Sequence, residues 1–388
     1  MSTTFLHTAD WQLGKPYARV EDAAKRTLLQ NERFVAVERL GALARQENAS
    51  FIVVAGDLFD SPTASKPVVS RACAVIGAVG IPVYVIPGNH DHGGADSIWD
   101  TEFFQREQQS LAPNLHVLLK PEPLELENAV LFPCPLLRRH ESADTTQWLR
   151  NFELNNSTYG TKPRIVLAHG SVIQFGSAPE QDEDTTSANL IDLQRLPGTF
   201  DYFALGDWHG TKEINPKAWY SGTPELDRFV KGTEHLPGHV LLVTAGRGTD
   251  PDVRLLKTAK VGWHALEFRF TTDSDLSEFE TQLRELLGNR AGEDVLQLQL
   301  DGHLGIKACS RLETVLESID SRLLRLKINN NTRIAPSHAE LENLTQRSGD
   351  PLISRVAARL AELSLTPGPE SATAQVALRE LYASTHNL

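Results

Sequence analysis

The feature that most limits the fold is an alternation of two hydrophobic patterns at the beginning of the chain. Apolar runs at residues 5–9, 51–55 and 83–86 are too short for helices and are typical of buried strands. Between them, residues 26–46 and 68–79 carry apolar side chains near helical spacing. Strands that alternate with helices predict a largely parallel sheet covered by helices, so the chain begins as an α/β domain.

The rest of the chain divides into further parts. Shorter strand-like runs follow residue 114 with little helix between most of them, which indicates a second sheet packed on the first. Polar stretches at residues 155–163 and 177–189 are predicted to be exposed loops. We therefore predict an α/β two-sheet domain at residues 1–260, a small α+β appendage at 261–330 and a helical C-terminal segment at 331–388.

Composition excludes some classes of protein. The chain has 40% hydrophobic and 23% charged residues, and none of its apolar runs approaches the roughly 20 residues that a membrane span needs. Three widely spaced cysteines suit reduced interior thiols, and the N-terminus lacks the pattern of a secretory signal, so we expect a cytoplasmic location. The net charge of -12 argues against a globally basic nucleic-acid binder, although metal ions on carboxylates can offset that charge locally.

Polar clusters stand at the ends of several predicted strands. At the carboxyl edge of an α/β sheet the loops converge on one crevice, which is where ligands bind. The clusters are Asp10-Trp11-Gln12, Gly56-Asp57 with Asp60, Asn89-His90-Asp91, Ala168-His169-Gly170 and Gly206-Asp207-Trp208-His209. Five clusters of this kind in one chain predict a shared metal site.

Side chains of these types suit a pair of divalent metal ions. Two ions a few ångström apart hold the oxygens of a phosphoester and lower the pKa of a shared water. Such a pair needs a bridging carboxylate, and Asp57 is the expected bridge because it follows a glycine at the end of a buried strand. The other predicted ligands are Asp10, Asn89, His169, Asp207 and His209, whose oxygen and imidazole donors suit Mn, Fe or Zn.

His90 is the predicted acid. It follows a metal-binding amide and is not needed as a ligand, so its imidazole can stabilise the phosphate or protonate the leaving oxygen. Asp60 is predicted to orient His90, because a carboxylate partner fixes the tautomer of an imidazole and raises its basicity.

The order of these clusters resembles that of the calcineurin-like metallophosphoesterases. Residues 5–14 resemble the opening of the SbcD-type DNA repair nucleases, and the segment Tyr-Ser-Gly-Thr-Pro-Glu at residues 220–225 resembles a further part of that group. The resemblance covers residues 4–257 and implies an αββα sandwich that acts on DNA as a two-metal exonuclease or endonuclease. It also implies a homodimer and a coiled-coil ATPase partner of SbcC type, for which the helices from residue 352 onward are the expected docking segment.

The resemblance also implies a division of the ligands between two ions. One ion is assigned to Asp10, position 12, Asp57 and His209, and the other to Asp57, Asn89, His169 and position 207. Positions 12 and 207 depart from the family pattern, because Gln12 and Asp207 stand where the family usually has histidine. The shift toward oxygen ligands favours Mn²⁺ or Mg²⁺ over Zn²⁺, with Mn²⁺ as the first choice, and leaves open how tightly the first ion is held.

Two pairs of residues are weaker candidates for substrate contact. Trp11 and Trp208 lie inside metal motifs and can stack on nucleobases, although packing beneath the metal loops is the favoured interpretation. Arg138 and Arg139 are candidates for phosphate contact, although isolated basic residues are usually solvated.

Two other functions stay open at the level of the sequence. The acidic net charge mildly favours a small phosphoester or a cyclic nucleotide as the substrate of the same chemistry. Gln12 and Asp207 are compatible with a scaffold that binds DNA ends or an ATPase through a vestigial site. Dead sites normally lose the bridge or the acid, however, and Asp57 and His90 are both present.

Overall fold

The computed structural model describes most of the chain. The described residues are 1–152, 159–173, 188–229, 236–335, 337–347, 349–366 and 368–386. Of the predicted polar loops at 155–163 and 177–189, residues 155–158 and 177–187 lie outside them. Within the described residues the chain forms two compact units, Met1–Val261 and Gly262–Leu388.

The first unit is built from strands and a few helices. Its strands are β1 Ser2–Thr8, β2 Ile52–Ala55, β3 Val83–Ile86, β4 Leu115–Val117, β5 Leu124–Glu125, β6 Val130–Cys134, β7 Arg164–His169, β8 Ser171–Val172, β9 Leu190–Ile191, β10 Tyr202–Gly206, β11 Lys212–Asn215, β12 Ala218–Tyr220, β13 His239–Gly246 and β14 Asp252–Lys257. Its helices are α1 Ala23–Gln46, α2 Lys66–Val79, α3 Glu102–Leu111 and α4 Gln147–Arg150, with short 3-10 turns at Ile98–Asp100 and Leu193–Arg195.

Most of these strands form two six-stranded sheets. The first has the order β14-β13-β1-β2-β3-β4, in which β1 to β4 are parallel and β13 and β14 are antiparallel additions. The second has the order β11-β12-β10-β7-β6-β5, with four parallel central strands and an antiparallel strand at each edge. β8 and β9 form a separate parallel pair. The α/β two-sheet fold predicted from the sequence is confirmed.

Alternation along the strands distributes side chains between the two faces of each sheet. Phe5 of β1 lies in a core between the sheets, together with Ile165 of β7. Leu6, the next residue of β1, instead belongs to a second core that contains Phe34 of α1 and Ile76 of α2. The helices therefore cover the outer face of the first sheet, and the inner faces of the two sheets pack on each other.

The ends of α1 and α2 show why the helices begin and end where they do. The side chain of Asp22 accepts hydrogen bonds from the N–H groups of Ala24 and Lys25 and so caps α1. α2 has a proline in its first turn and ends at Gly80, whose φ of +82° is a left-handed conformation that glycine adopts without strain. The chain then turns directly into β3.

The second unit contains the predicted series of alternating strands and helices. Its elements are β15 Gly262–Phe270, α5 Asp275–Leu287, β16 Asp294–Leu304, α6 Ile306–Arg322, β17 Arg325–Asn330, β18 Arg333–Ile334, α7 His338–Thr345, α8 Pro351–Leu365 and α9 Pro369–His386, with a 3-10 turn at Ala291–Glu293. The strands are parallel in the order β15-β16-β17, and β18 also pairs with β16. Ile306 of α6 packs with Leu344, Ala357 and Leu378 of the three last helices. Among the described residues, none of the helices combines the length and apolarity that crossing a membrane requires.

Candidate metal centre

The predicted cluster residues follow the carboxyl ends of parallel strands. Asp10 comes after β1, Asp57 comes after β2, and His169 is the last residue of β7. Backbone hydrogen bonds join the first two loops, because the N–H of Asp10 donates to the carbonyl of Gly56 (3.1 Å) and the N–H of Gln12 donates to the carbonyl of Asp57 (2.9 Å). The two loops therefore run side by side at one edge of the sheet.

Four of the predicted ligands have a left-handed backbone conformation. Their φ angles are 54° at Asp10, 42° at Gln12, 56° at Asp57 and 99° at Asp207. Such conformations cost about 1–3 kcal/mol each in non-glycine residues and persist only where the surrounding structure holds them. The N–H of Asp207 helps to hold the loops, since it donates to both carboxylate oxygens of Asp10 at 3.3 Å. The bends bring side chains of different strands together.

Three of these side chains form a group that fits a divalent ion. Asp10, Asp57 and His169 are buried and place ligand atoms within 4.8 Å of one another. The Nδ1–H of His169 donates to the carbonyl of Ala55 (2.8 Å), which leaves the Nε2 lone pair for a metal. That Nε2 lies 3.6 Å from Asp57 and 3.8 Å from Asp207.

The amide of Asn89 completes this group. Its oxygen lies 3.0 Å from Nε2 of His169 and 3.1 and 3.2 Å from the two carboxylate oxygens of Asp57. In this orientation the amide oxygen faces Nε2 of His169 and both carboxylate oxygens of Asp57. A cation among these atoms would stabilise the arrangement. Rotation of the amide would instead turn its NH₂ toward the same three atoms. Only the first orientation presents the amide oxygen to the group, as a metal ligand would; in the rotated one the NH₂ donates to the three atoms without an ion.

The charges of the group favour a cation. Burial disfavours the imidazolium of His169, but Asp57, Asp10 and Asp207 outweigh it and raise the pKa of His169 to about 9. Burial also raises the pKa of Asp10 to about 6; His209 and His169 oppose this shift, and Asp57 and Asp207 add to it. The buried carboxylates therefore repel one another, and a divalent ion among them would relieve that repulsion.

His209 is held on the other side of the site. Its Nδ1 lies 3.0 Å from a carboxylate oxygen of the buried Asp227, and its Nε2 lies 3.4 Å from the amide nitrogen of Gln12. The amide oxygen of Gln12 accepts a hydrogen bond from Lys15 (2.7 Å). Within the described part of the chain, His209 does not join the group of ligand atoms formed by Asp10, Asp57 and His169.

Comparison with known proteins identifies the family. The sequence model of the calcineurin-like phosphoesterases matches residues 3–239, which is more than half of the chain. The chain belongs to this family. Its members use divalent metal ions, in agreement with the group around His169.

One curated relative and two crystal structures show how far the similarity extends. The SbcD subunit of the SbcCD nuclease of Staphylococcus epidermidis is 25% identical over 227 residues, which are 54% of this chain and 58% of that protein. The chain thus spans little more than half of that relative. TT1561 of Thermus thermophilus aligns with a TM-score of 0.36 and 13% identity over 57% of this chain and 90% of its own. A further crystal structure aligns with a TM-score of 0.39 and 12% identity over 66% of this chain and all of its own.

In this calcineurin-like phosphoesterase His90 lies beside the metal group. Its backbone N–H donates to a carboxylate oxygen of Asp57 (2.9 Å), and its half-buried imidazole places Nδ1 2.8 Å from the backbone carbonyl of Asp60. The sequence predicted that the carboxylate of Asp60 would orient His90. In the structure the backbone carbonyl of Asp60 contacts His90 instead, and a carboxylate oxygen of Asp60 lies 3.5 Å from the ammonium nitrogen of Lys15.

The predicted substrate contacts lie in different surroundings. Trp11 is buried in the core between the first sheet and its helices and donates from Nε1 to the Thr8 hydroxyl (2.9 Å). Its ring therefore packs beneath the loops and is not open to a nucleobase. Trp208 is half-buried against the outer core of the second sheet. Arg138 and Arg139 are exposed.

Two buried residues that are not among the predicted site residues support the metal loops. Asp91 accepts hydrogen bonds from the N–H groups of Gly88 (2.7 Å) and Phe59 (3.0 Å), and so ties the Asn89 loop to the Asp57 loop. Arg33 of α1 donates to the carbonyls of Trp11 (2.7 Å) and Asp10 (3.0 Å). Asp91 belongs to the predicted Asn89-His90-Asp91 cluster, so the sequence drew attention to it. Arg33 could not be singled out, because the sequence of α1 gives no sign that distinguishes it from the other charged residues of that helix.

The segment at residues 220–225 also supports the site. The hydroxyl of Tyr220 donates to the carbonyl of Gly170, next to His169 (2.7 Å). The hydroxyl of Thr223 donates to the carbonyl of Asp10 (3.0 Å). The segment thus fixes loops from both sheets and contributes no ligand of its own to the group around His169.

Proposed function

We propose that this calcineurin-like phosphoesterase is a divalent-metal-dependent phosphodiesterase that hydrolyses DNA. The observation that carries the proposal is the convergence of Asp10, Asp57, Asn89 and His169 on one point, with His90 beside it. Mn²⁺ is the first choice of metal, with Mg²⁺, Fe and Zn as alternatives, because the donor set is dominated by oxygen. The sequence predicts a pair of ions, and the fit is best at the group around His169.

The residues of the chain have separate tasks in this reaction. The bound metal supplies positive charge to the phosphate and lowers the pKa of a water nucleophile. Asp57 and His169 fix the position of that charge, since their side chains are buried and hydrogen-bonded. With Nδ1 of His90 held by the Asp60 carbonyl, its Nε2 remains available to bind a phosphate oxygen or to protonate the leaving oxygen.

Two observations support DNA as the substrate. The opening segment at residues 5–14 and the segment at residues 220–225 are similar to those of SbcD-type nucleases, and both contact the loops of the metal group. The similarity to the SbcD subunit of the SbcCD nuclease extends over 227 residues. A DNA phosphodiester and a small diester present the same reacting group, so the distinction between them depends on an experiment.

Cleavage assays test the proposal. The full-length protein with Mn²⁺ is expected to degrade single- or double-stranded DNA. Asp57→Ala should abolish cleavage, and His90→Ala should lower kcat about 10²- to 10⁴-fold, the range typical of a lost general acid. His303→Ala is the matched control, because His303 is exposed and lies in the second unit. Undiminished cleavage in both site variants would disprove the mechanism, and turnover of bis-p-nitrophenyl phosphate without DNA cleavage would select a small phosphoester as substrate.

The proposal includes a coiled-coil ATPase partner of SbcC type. Leu352 and Leu365 of α8 are 72% and 81% exposed, and Val356 is exposed one turn after Leu352. Leu352 and Val356 lie on the same side of α8 and form an apolar surface that a partner can cover, whereas Leu365 lies on another side of the helix. Leu352→Asp should prevent co-purification with such an ATPase, whereas Leu28→Asp, at an exposed leucine of α1, should not. Equal co-purification of both variants would remove α8 as the docking element.

A further inference from the structure

The loop at residues 135–141 follows β6 and leaves the second sheet at the edge that carries His169. β6 and β7 are parallel neighbours, and Cys134 at the end of β6 is paired with Ala168, which directly precedes His169. Because the carboxyl ends of parallel strands lie at one edge of a sheet, the loop emerges beside this predicted ligand. Its sequence is Pro-Leu-Leu-Arg-Arg-His-Glu, so it brings basic side chains to the metal group.

The first half of this loop is held against the segment that follows Asn89. The N–H of Gly93 donates to the carbonyl of Leu136 (2.8 Å). A Cβ built on Gly94 would overlap the carbonyl oxygen of Leu137, so the two backbones are in close contact there. Residues 136 and 137 are therefore fixed next to one of the ligand-bearing segments.

The second half of the loop is held by Asn189 against the segment that follows His169. The side-chain oxygen of Asn189 accepts from the N–H of Glu141 (2.7 Å), and its NH₂ donates to the carbonyl of Arg139 (3.0 Å). The backbone carbonyl of Asn189 accepts from the N–H of Ser171, two residues after His169 (3.0 Å). The loop is thus clamped between two ligand-bearing segments, at the rim of the metal group.

Between its two fixed halves the loop exposes residues 137–140. In the part of the chain that the structure describes, the side chain of Arg138 has neither a hydrogen-bond nor an ion-pair partner. A guanidinium is always charged, and its planar set of donors matches the oxygens of a phosphate. Although the chain has a net charge of -12, it therefore offers a phosphate-binding group at the rim of the site.

We infer that Arg138 binds a backbone phosphate of DNA beyond the one that is cleaved, and that the loop at residues 135–141 thereby favours a polymer over a small diester. The inference rests on the proposed function and adds a contact to a part of the DNA that does not react. Phosphates follow one another along a strand at about 3.4 Å of helix axis, so a bound strand carries further phosphates past the rim. A single diester has none to offer, and Arg138 therefore acts on substrate affinity and not on the chemical step.

Steady-state cleavage by the full-length protein with Mn²⁺ tests this contact. The substrates are a long single-stranded oligonucleotide and a dinucleotide with one phosphodiester. Arg138→Gln should raise KM for the oligonucleotide about 5- to 10-fold at about 0.1 M salt, the factor that one neutralised phosphate contributes, and should raise KM for the dinucleotide far less. The control Arg254→Gln should change neither KM, because Arg254 pairs with Glu47 (3.2 Å), which lies before β2 at the opposite edge of the first sheet.

The salt dependence separates a phosphate contact from a structural effect on the loop. In Arg138→Gln the slope of log KM for the oligonucleotide against log salt concentration should fall by about 1, and Arg138→Lys should restore most of it because the charge is kept. An unchanged slope, an unchanged KM for the oligonucleotide, or an equal rise of KM for both substrates would overturn the inference. DNA cleavage by the wild type would still support the proposed function in each of these cases, whereas a wild type that cleaves no DNA would contradict that function and the inference with it.

Discussion

Gly56 allows His169 to approach the backbone of the Asp57 loop. Its φ is +97°, and a Cβ built on it would overlap Nδ1 of His169. The same nitrogen donates to the carbonyl of Ala55, which fixes the tautomer of His169, so a side chain at position 56 would disturb that hydrogen bond. Gly88 has the same relation to the Asp57 carboxylate, which a Cβ would also overlap. The absence of side chains at positions 56 and 88 thus makes room for two of the predicted ligands, His169 and Asp57.

Gly56→Ala is therefore expected to displace His169. We expect Mn²⁺ affinity to fall at least about 10-fold, because the support of a metal ligand is disturbed, and the first unit to lose about 2–4 kcal/mol from strain and overpacking. Mn²⁺ titration and urea denaturation measure the two effects. Gly248→Ala is the control, since Gly248 has a φ of +75° with open space around it. If the two variants bind Mn²⁺ equally well, the close approach to His169 has no role in the site.

The sequence could locate the candidate ligands because a polar residue directly after a buried strand lies at the edge of the sheet, where few positions are open to its side chain. Asp10, Asp57 and His169 were found in this way, and the structure brings them together. The partners of these residues could not be predicted. Asp227 and Lys15 reach the site from loops whose paths are set by tertiary packing. The contact of His90 with a carbonyl of residue 60 depends on the local backbone and not on the residue type.

At the scale of elements, α1 both covers the first sheet and holds its metal loop. Phe34 and Val37 pack into the core, while the neighbouring Arg33 is buried with them. Its guanidinium donates to the carbonyls of Asp10 and Trp11 and to the hydroxyl of Thr223 (3.2 Å). A buried guanidinium with several donors in a fixed geometry can join three chain segments that lie far apart in sequence.

Arg33→Lys should separate those segments. A lysine lacks the planar set of donors, so some carbonyls would remain buried without a partner, at a cost of about 2–4 kcal/mol in the free energy of unfolding. Mn²⁺ affinity should fall as well, because the Asp10 loop loses its support. Arg45→Lys on the same helix is the control, since Arg45 is exposed and donates to a single carbonyl, that of Val79 (2.8 Å). Similar losses in the two variants would show that α1 contributes only packing.

Local hydrophobic patterns were sufficient to predict the first strands and helices of the chain, but they did not predict which strands pair with each other. Short apolar runs predicted the first three strands, a spacing near 3.6 residues predicted the helices between them, and those elements are present. The addition of β13 beside β1, or the central place of β7 and β10 in the second sheet, depends on contacts between residues far apart in the chain. No short window of sequence contains that information.

At the scale of the first unit, His7 joins the two sheets. It lies on β1, is buried, and forms hydrogen bonds through Nδ1 with the hydroxyl of Tyr202 (2.9 Å) and through Nε2 with the carbonyl of Leu205 (3.2 Å) on β10. Burial lowers the pKa of His7 to about 3, although the contact with Leu205 opposes the shift. The imidazole is therefore neutral in the folded protein at neutral pH.

The lowered pKa predicts a loss of stability in acid. Between the unfolded value near 6.5 and the folded value near 3, the unfolded chain binds the proton that folded His7 does not, so stability falls as pH falls through this window. From pH 7 to 4.5 the loss attributable to His7 is roughly 2–3 kcal/mol, at about 1.4 kcal/mol per pH unit. Urea denaturation followed by tryptophan fluorescence measures it, because five of the six tryptophans lie in the first unit.

The variant His7→Gln isolates this contribution, since glutamine offers hydrogen-bonding groups but does not titrate. Its stability is expected to be lower than that of the wild type at pH 7, and its further decline toward pH 4.5 should be smaller by the same roughly 2–3 kcal/mol. His303→Gln, at an exposed histidine, should follow the wild-type curve. Parallel curves for the wild type and His7→Gln would mean that His7 accepts a proton in the folded state. The packing between the two sheets would then have to accommodate a buried charge.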